Sequence, residues 1–251
     1  MKEVCEVKRG LKPAGAVLLC ALCAGAEHAT SVTVINKGFS GRNTRNALHL
    51  VDKEVLALKP HHVIVYFGMN DAMNSGNLLP VDEYEANLRA LVKKLADGGV
   101  RTVALVTLNP VIEEYVHERH PKHPQRASLQ EHLATYDQAV REIAAEQRLP
   151  LIDLRALVEK HGGPAISDSS LIRCEKNGGG RDGVHLTPAA YALLGRLAFT
   201  AVCERVRPGE TLVCFGDSLT FGAGAKGAGT VTGASYPAVL QRCFDERKGP
   251  A

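Results

Sequence analysis

Tryptophan is absent from the 251 residues, and aromatic side chains make up only 5% of them. Platforms for stacking a flat ligand or a sugar ring are therefore scarce. No run of 18 apolar residues occurs, which excludes an integral membrane helix of ordinary length. A formal charge of +3 is too small to mark a nucleic-acid-binding or membrane-surface protein. The seven cysteines are an odd number, so at least one is unpaired in any compartment. Cys20 and Cys23 have C-x-x-C spacing, but they lie in an apolar run with no second pair and no nearby histidine to complete a zinc site.

What is present is an ordinary globular composition, 45% hydrophobic and 23% charged, in a chain long enough for one sizeable core. Val32–Ile35, Val63–Phe67, Val103–Leu108, Leu151–Leu154 and Leu212–Phe215 are short runs rich in β-branched residues, bounded by turn residues. Between them lie segments with helical apolar spacing. Ala47, Leu48, Val51, Val55 and Leu58 mark one such segment; Tyr84, Leu88, Leu91, Val92 and Leu95 mark another, with Asp82 as its cap. Further helices are expected at about 128–147, 187–204 and 236–244. The alternation predicts a parallel sheet with helices on both faces.

The first 30 residues form an extension with two readings. Lys2, Lys8, Arg9 and Lys12 precede an apolar run, Ala14–Ala26, that ends in small residues, as a secretory signal cleaved after Ala26 would. Glu3 and Glu6 are unusual in such a segment, and a helix packed on the sheet is the rival, although 236–244 already supplies a helix of that kind. The first reading makes the protein secreted or periplasmic, the second cytoplasmic. Residues 31–251 form the main domain on either.

Chemistry concentrates at the other end of the chain. Leu212–Phe215 has the composition of a strand buried on both faces and breaks into Gly216-Asp217-Ser218-Leu219, which puts a hydroxyl at the carboxyl end of a strand. Upstream, Asp182-Gly-Val-His185 enters a helix with Thr187 at its cap and Pro188 at its first position. Nucleophile, base and orienting carboxylate are thus all available: Ser218, His185 and Asp182.

These residues resemble the SGNH (GDSL) hydrolase family. The four blocks that carry the resemblance are Gly216-Asp-Ser218-Leu, Asn36-Lys-Gly-Phe-Ser-Gly41, Gly68-Met-Asn70-Asp71 and Asp182-Gly-Val-His185. Their order departs from the family, which begins with the serine block where this chain ends with it; the arrangement looks like a circular permutant. The resemblance implies a flavodoxin-like three-layer α/β/α sandwich with a five-stranded parallel sheet, its nucleophile strand last in the chain and inserted between the first and second strands. It also implies an esterase acting through an acyl-enzyme on Ser218. The oxyanion hole would comprise the N–H of Ser218, the N–H of Gly41 and the side-chain amide of Asn70, with Asp217 and Arg42 near the substrate. No cofactor and no metal are expected. The implied partner is a small-molecule or carbohydrate ester, with a short acyl group such as acetyl favoured by the polar Arg42, Asn43 and Arg45 after Gly41. Within the same family a lysophospholipase or thioesterase is the alternative, and outside catalysis a binding protein on the same scaffold.

Two other patterns stand apart. Gly222-Ala-Gly-Ala-Lys-Gly227 spells G-x-G-x-x-G, but too far from its strand and too close to the chain end for a dinucleotide site, so a loop is expected. His117-Glu-Arg-His-Pro-Lys-His123 reads as a solvated loop at the carboxyl edge of the sheet, close enough to the cleft to meet a metal or an acidic substrate.

Overall fold

A computed structural model describes residues 31–125 and 127–247. The expectations for residues 1–30, including Cys20 and Cys23, lie outside the described residues.

In chain order the elements are β1 (Thr33–Gly38), α1 (Thr44–Glu54), β2 (His62–Tyr66), α2 (Met69–Met73), α3 (Val81–Asp97), β3 (Thr102–Val106), α4 (Glu113–Arg119) and α5 (Leu129–Glu146). They continue with β4 (Leu151–Ile152), α6 (Leu154–Lys160), α7 (Pro188–Val202), β5 (Thr211–Gly216), α8 (Ser218–Phe221) and α9 (Tyr236–Glu246). The five strands form one parallel sheet in the order β1-β5-β2-β3-β4. Helices α1, α3 and α5 pack in a row on one face and α7 pairs with α9 on the other, giving three layers.

The last strand in the chain sits second in the sheet and pairs with β1 on one side and β2 on the other. Its composition explains the position: Leu212, Val213, Cys214 and Phe215 are all fully buried, as a strand covered on both faces requires. Glu210, at the foot of β5, bridges neighbouring segments. It meets His62 Nε2 at 2.6 Å and Arg101 Nη2 at 2.5 Å and accepts from the backbone N–H of Arg207 at 3.0 Å. Burial would raise its carboxyl, but these donors outweigh that and lower it to about 2.

The described ends lie together. On α9, Gln241 accepts from the N–H of Val34 at 2.7 Å and donates to the carbonyl of Val32 at 2.9 Å, pairing the outer edge of β1 with a side chain.

Local signals account for most boundaries and for the corrections. Ser128, Thr187 and Ser235 cap α5, α7 and α9 with their side-chain oxygens. Asp82 is not a cap: α3 begins after Pro80, with Asp82 inside its first turn, where a carboxylate favours the helix dipole. The first helix stops at Glu54 instead of continuing to Leu58. A single 3-10 turn spans Leu56–Leu58, Lys59 takes a left-handed conformation, and Pro60 follows. The histidine-rich stretch is not a solvated loop throughout. His117 lies in the last turn of α4, His120 follows that helix, and His123 is 1% exposed, hydrogen-bonded to the carbonyl of Ala72 at 2.8 Å.

Candidate active site

At the carboxyl end of β5 the chain turns sharply at Gly216, where a Cβ would come within 2.1 Å of Thr220 Oγ1 and 2.4 Å of the Tyr66 carbonyl. Asp217 then caps the one-turn helix α8, accepting from the N–H of Leu219 at 2.8 Å. Ser218 opens that turn at the sheet edge, the position at which ligands meet open α/β sheets.

His185 Nε2 lies 3.0 Å from Ser218 Oγ, and His185 Nδ1 lies 2.9 Å from Asp182 Oδ2. An ionised carboxylate can only accept, so Nδ1 carries the proton, and Nε2 of the neutral ring accepts from the serine hydroxyl. Asp182 is fixed in turn. Its Oδ1 accepts from the N–H groups of Val184 and His185 at 3.0 and 2.8 Å, a turn that Gly183 permits with φ of 75°. Burial pushes the Asp182 carboxyl up, but the hydrogen bond and charge of His185 and the two backbone N–H groups hold it well below the usual carboxylate range. The loop is anchored by an antiparallel bridge between Ile172 and Leu186 and by the Thr187 cap of α7.

Two arginines that the sequence reading missed also face Asp182. Arg119 Nη2 is 3.3 Å from Oδ1, and Arg173 Nε is 3.6 Å from Oδ2. Arg173 further donates to the carbonyls of Gly224 at 3.0 Å and Gly179 at 3.3 Å, so one side chain ties the loop after α8 to the loop carrying Asp182. Glycine is favoured at 224 by its φ of 82°, and a Cβ there would fall 1.9 Å from Arg173 Nη1 and displace that side chain. No local pattern marks either arginine: Arg119 reaches Asp182 from a different helix, and Arg173, though near Asp182 in sequence, also reaches Gly224, 51 positions on.

Ser218 and His185 open into a cavity of about 310 Å3, which Gly41 and Asn70 also line. Among the described residues, the backbone N–H groups of Ser218 and Gly41 donate to no protein acceptor. Gly41 has φ of 75°, and a Cβ there would meet nothing within 4 Å, so backbone conformation, not crowding, is what requires glycine. Asn70 sits at the wall with both amide hydrogens engaged: Nδ2 donates to the Arg42 carbonyl at 3.0 Å and to Asp217 Oδ2 at 3.1 Å.

The side chains of Asp217 and Arg42, the two candidates for substrate binding, lie elsewhere; Asp217, like Asp71, instead holds loops by hydrogen bonds, the other role its sequence position suggests. Asp217 is fully buried beneath Ser218, with its carboxylate spent on Leu219 and Asn70. Burial raises its carboxyl to about 7 against the lowering effect of these donors. The Arg42 side chain is exposed and does not line the cavity; its carbonyl is the part that reaches the site. Asp71 accepts from the hydroxyl and N–H of Thr44 and thereby ties α2 to the start of α1. Among the described residues, no three histidine, cysteine, aspartate or glutamate side chains cluster as metal ligands.

Fold and site together define the class: a three-layer α/β protein with serine, histidine and aspartate in hydrogen-bonded series at the carboxyl edge of its sheet. The chain belongs to the GDSL-like lipase/acylhydrolase family, whose profile matches residues 14–193. That match ends before β5 and Ser218. The isoamyl acetate-hydrolyzing esterase 1 homolog of Mus musculus is 31% identical over 172 residues, covering 64% of this chain and 65% of its own length. An acetylxylan esterase of Geobacillus stearothermophilus is 29% identical over 132 residues, 50% of this chain and 55% of its own. The chain thus aligns with less than two thirds of either relative. A crystal structure of a lipase/acylhydrolase from Enterococcus faecalis superposes with a TM-score of 0.52 at 26% identity, covering 68% of this chain and 75% of that one.

Proposed function

We propose that the protein is a serine ester hydrolase that cleaves short-acyl esters, acetyl above all, through an acyl-enzyme on Ser218. The observation that carries the reading is the continuous series Ser218–His185–Asp182, with contacts of 3.0 and 2.9 Å, opening into the cavity.

In this reading His185 Nε2 takes the Ser218 hydroxyl proton as Oγ attacks the ester carbonyl, and Asp182 keeps the imidazole in the required tautomer. The N–H groups of Ser218 and Gly41 receive the charge that develops on the carbonyl oxygen. Asn70 joins them by exchanging its bond to the Arg42 carbonyl for one to the oxyanion. Collapse breaks the ester C–O bond, the proton on His185 passes to the leaving alkoxide, and the acyl group stays on Ser218. Water then repeats the sequence with His185 as base, releasing the acid and restoring the hydroxyl.

A volume of about 310 Å3, at the small end for ligand sites, with Met69, Met73, Val184 and Ala223 in its lining, supports a short acyl group over a long chain. The names of the mouse and Geobacillus relatives, an isoamyl acetate-hydrolyzing esterase homolog and an acetylxylan esterase, support acetate as the acid; the second supports a carbohydrate as the alcohol.

The gene order is part of the proposal. In our reading the chain is a circular permutant of the family, with residues 31–251 as the domain. Support comes from a family match that stops at residue 193 while β5 fills the second place in the sheet, and from Gln241 pairing with Val32 and Val34.

Hydrolysis of 4-nitrophenyl acetate, butyrate and octanoate by the wild type and Ser218→Ala tests the reading. Acetate is expected to turn over fastest, with kcat falling at least about ten-thousandfold in the variant. Equal rates for two folded proteins would refute it.

A further inference from the structure

The lining of the cavity has an unbalanced charge. Among the described residues that line it, none is acidic, while Arg119, His120 and His185 are basic. The Arg119 side chain is 36% exposed, and its ionic contact among the described residues is Asp182. That carboxylate is shared: it also accepts from His185 and two backbone N–H groups and faces Arg173. One carboxylate thus faces two guanidinium groups at this wall, and the other carboxylate near Ser218, Asp217, is buried beneath it and does not line the cavity. The carboxylates of α4, Glu113, Glu114 and Glu118, do not line the cavity; Glu114 and Glu118 are turned to Arg181 and Glu113 accepts from the N–H of Gln130.

His120 adds a donor to the same wall. Its Nδ1 faces the N–H of Ser75 at 3.4 Å and the Ser75 hydroxyl at 3.2 Å, so the neutral ring carries its proton on Nε2. Burial, and then the charge of Arg119, favour that neutral form. A guanidinium fork next to an imidazole N–H suits a carboxylate more closely than a hydroxyl, which gains no charge-assisted bond.

We propose that the cavity takes an ester that itself bears a carboxylate, held by Arg119 with His120 beside it. This rests on the esterase reading above and narrows its substrate class. It also gives the histidine-rich stretch a role, through His120 alone: His123 is buried against the Ala72 carbonyl and does not reach the cavity. The remaining lining is apolar (Met69, Met73, Val184 and Ala223) or neutral and polar (Ser40, Asn70 and Asn74), which leaves Arg119 as the one permanent charge among the described residues there.

The test uses the full chain and two matched pairs of esters, each rate divided by its hydroxide-catalysed rate. Mono-4-nitrophenyl glutarate against its methyl-capped diester places the carboxylate on the acyl side. Acetoxybenzoate with the acetyl group para to the carboxylate, against its methyl ester, places it on the alcohol side. In one pair the anionic member should have kcat/KM at least about tenfold higher, carried by KM, as a charge-assisted bond to guanidinium allows. The ratio should shrink as sodium chloride is raised. It should collapse towards one in Arg119→Gln and be partly kept in Arg119→Lys. A ratio of one or less in both pairs overturns the proposal. So does an Arg119→Gln variant that slows both members of a pair alike, because Arg119 would then act only through Asp182.

A binding measurement separates this proposal from the esterase reading. Calorimetric titration of Ser218→Ala with monomethyl glutarate and with 4-acetoxybenzoate should show binding of at least one of them that Arg119→Gln removes, whether or not any ester is hydrolysed. Absence of that binding overturns the carboxylate site; binding without Ser218-dependent turnover of any ester overturns the esterase reading and leaves the site standing.

Discussion

Asn70 Nδ2 donates to Asp217 Oδ2 at 3.1 Å, joining positions 147 apart in the chain. The amide at the cavity wall is thereby held by the residue just before the proposed nucleophile. Asp217 has no access to solvent, and its other oxygen caps α8, so one buried carboxylate orients both Asn70 and the turn that presents Ser218. An uncompensated buried charge is costly, and the raised carboxyl of Asp217 expresses that cost.

The pH dependence of stability follows from this. Asp217 titrates at about 7 in the folded protein and at about 4 in an unfolded chain. Between those values the folded state binds more protons, so this residue makes stability fall as pH rises from 4 to 7, by at most about 1.4 kcal/mol per pH unit. Lowered histidines such as His62, His120 and His132 act in the opposite sense, and they are common to the wild type and any Asp217 variant. Asn at 217 cannot accept from both Leu219 and Asn70, which adds a cost that does not depend on pH. Urea midpoints for Asp217→Asn, relative to the wild type, should therefore shift in the variant's favour between pH 5 and 8. A difference that stays flat across this range would show that Asp217 titrates alike in both states.

Gly224 supplies a test of the link between the two loops of the site. Its φ of 82° is left-handed, and a Cβ would strike the Arg173 guanidinium. Gly224→Ala is expected to cost roughly 1–3 kcal/mol of stability and to lower kcat by displacing Arg173 from Asp182. Combining it with Arg173→Ala should restore the part due to the clash, leaving the backbone cost and the lost hydrogen bonds. Thermal midpoints and kcat for the four members of the cycle measure the coupling; additivity within experimental error would mean that the arginine does not hold that loop.

Relinking the chain tests its order. Placing residues 209–247 before residues 31–207, joined through about eight flexible residues from 247 to 31, puts the serine block first while keeping every strand in place. The contacts of Gln241 with Val32 and Val34 show that the joined ends are neighbours. The relinked protein should fold with a thermal midpoint close to that of the original and keep its Ser218-dependent activity. A relinked chain that is insoluble or unfolded would argue against equivalent orders.

Most of the sheet was legible from the sequence because its strands are short, buried on both faces and separated by amphipathic helices, a pattern that needs no tertiary information. The cap at Thr187 was legible for a similar reason: a side chain that satisfies its own helix end acts within three residues. The short helices α2, α4 and α6 were not, since pieces of five to seven residues are held by the packing around them. Burial of His123 escaped detection for the same reason. Its polar neighbours suggested solvent, and the carbonyl that satisfies it belongs to Ala72, 51 positions away.

By itself, then, the sequence determined the residue types of the site and the strand and turn that carry Ser218, because these depend on contacts a few residues apart. Asp182 and His185 come together through a turn of three residues, and that too is local. The entry of the last strand between the first two was expected only through the family resemblance, and the sheet order agrees with it; only the tertiary structure decided that Arg119 and Arg173 converge on Asp182. It also turned Asp217 inward to hold Asn70 while Arg119 and His120 line the cavity. Those outcomes depend on burial and on polar groups meeting from separate elements, across more than a hundred residues of chain in the case of Asn70 and Asp217, and no pattern within a short stretch records such meetings.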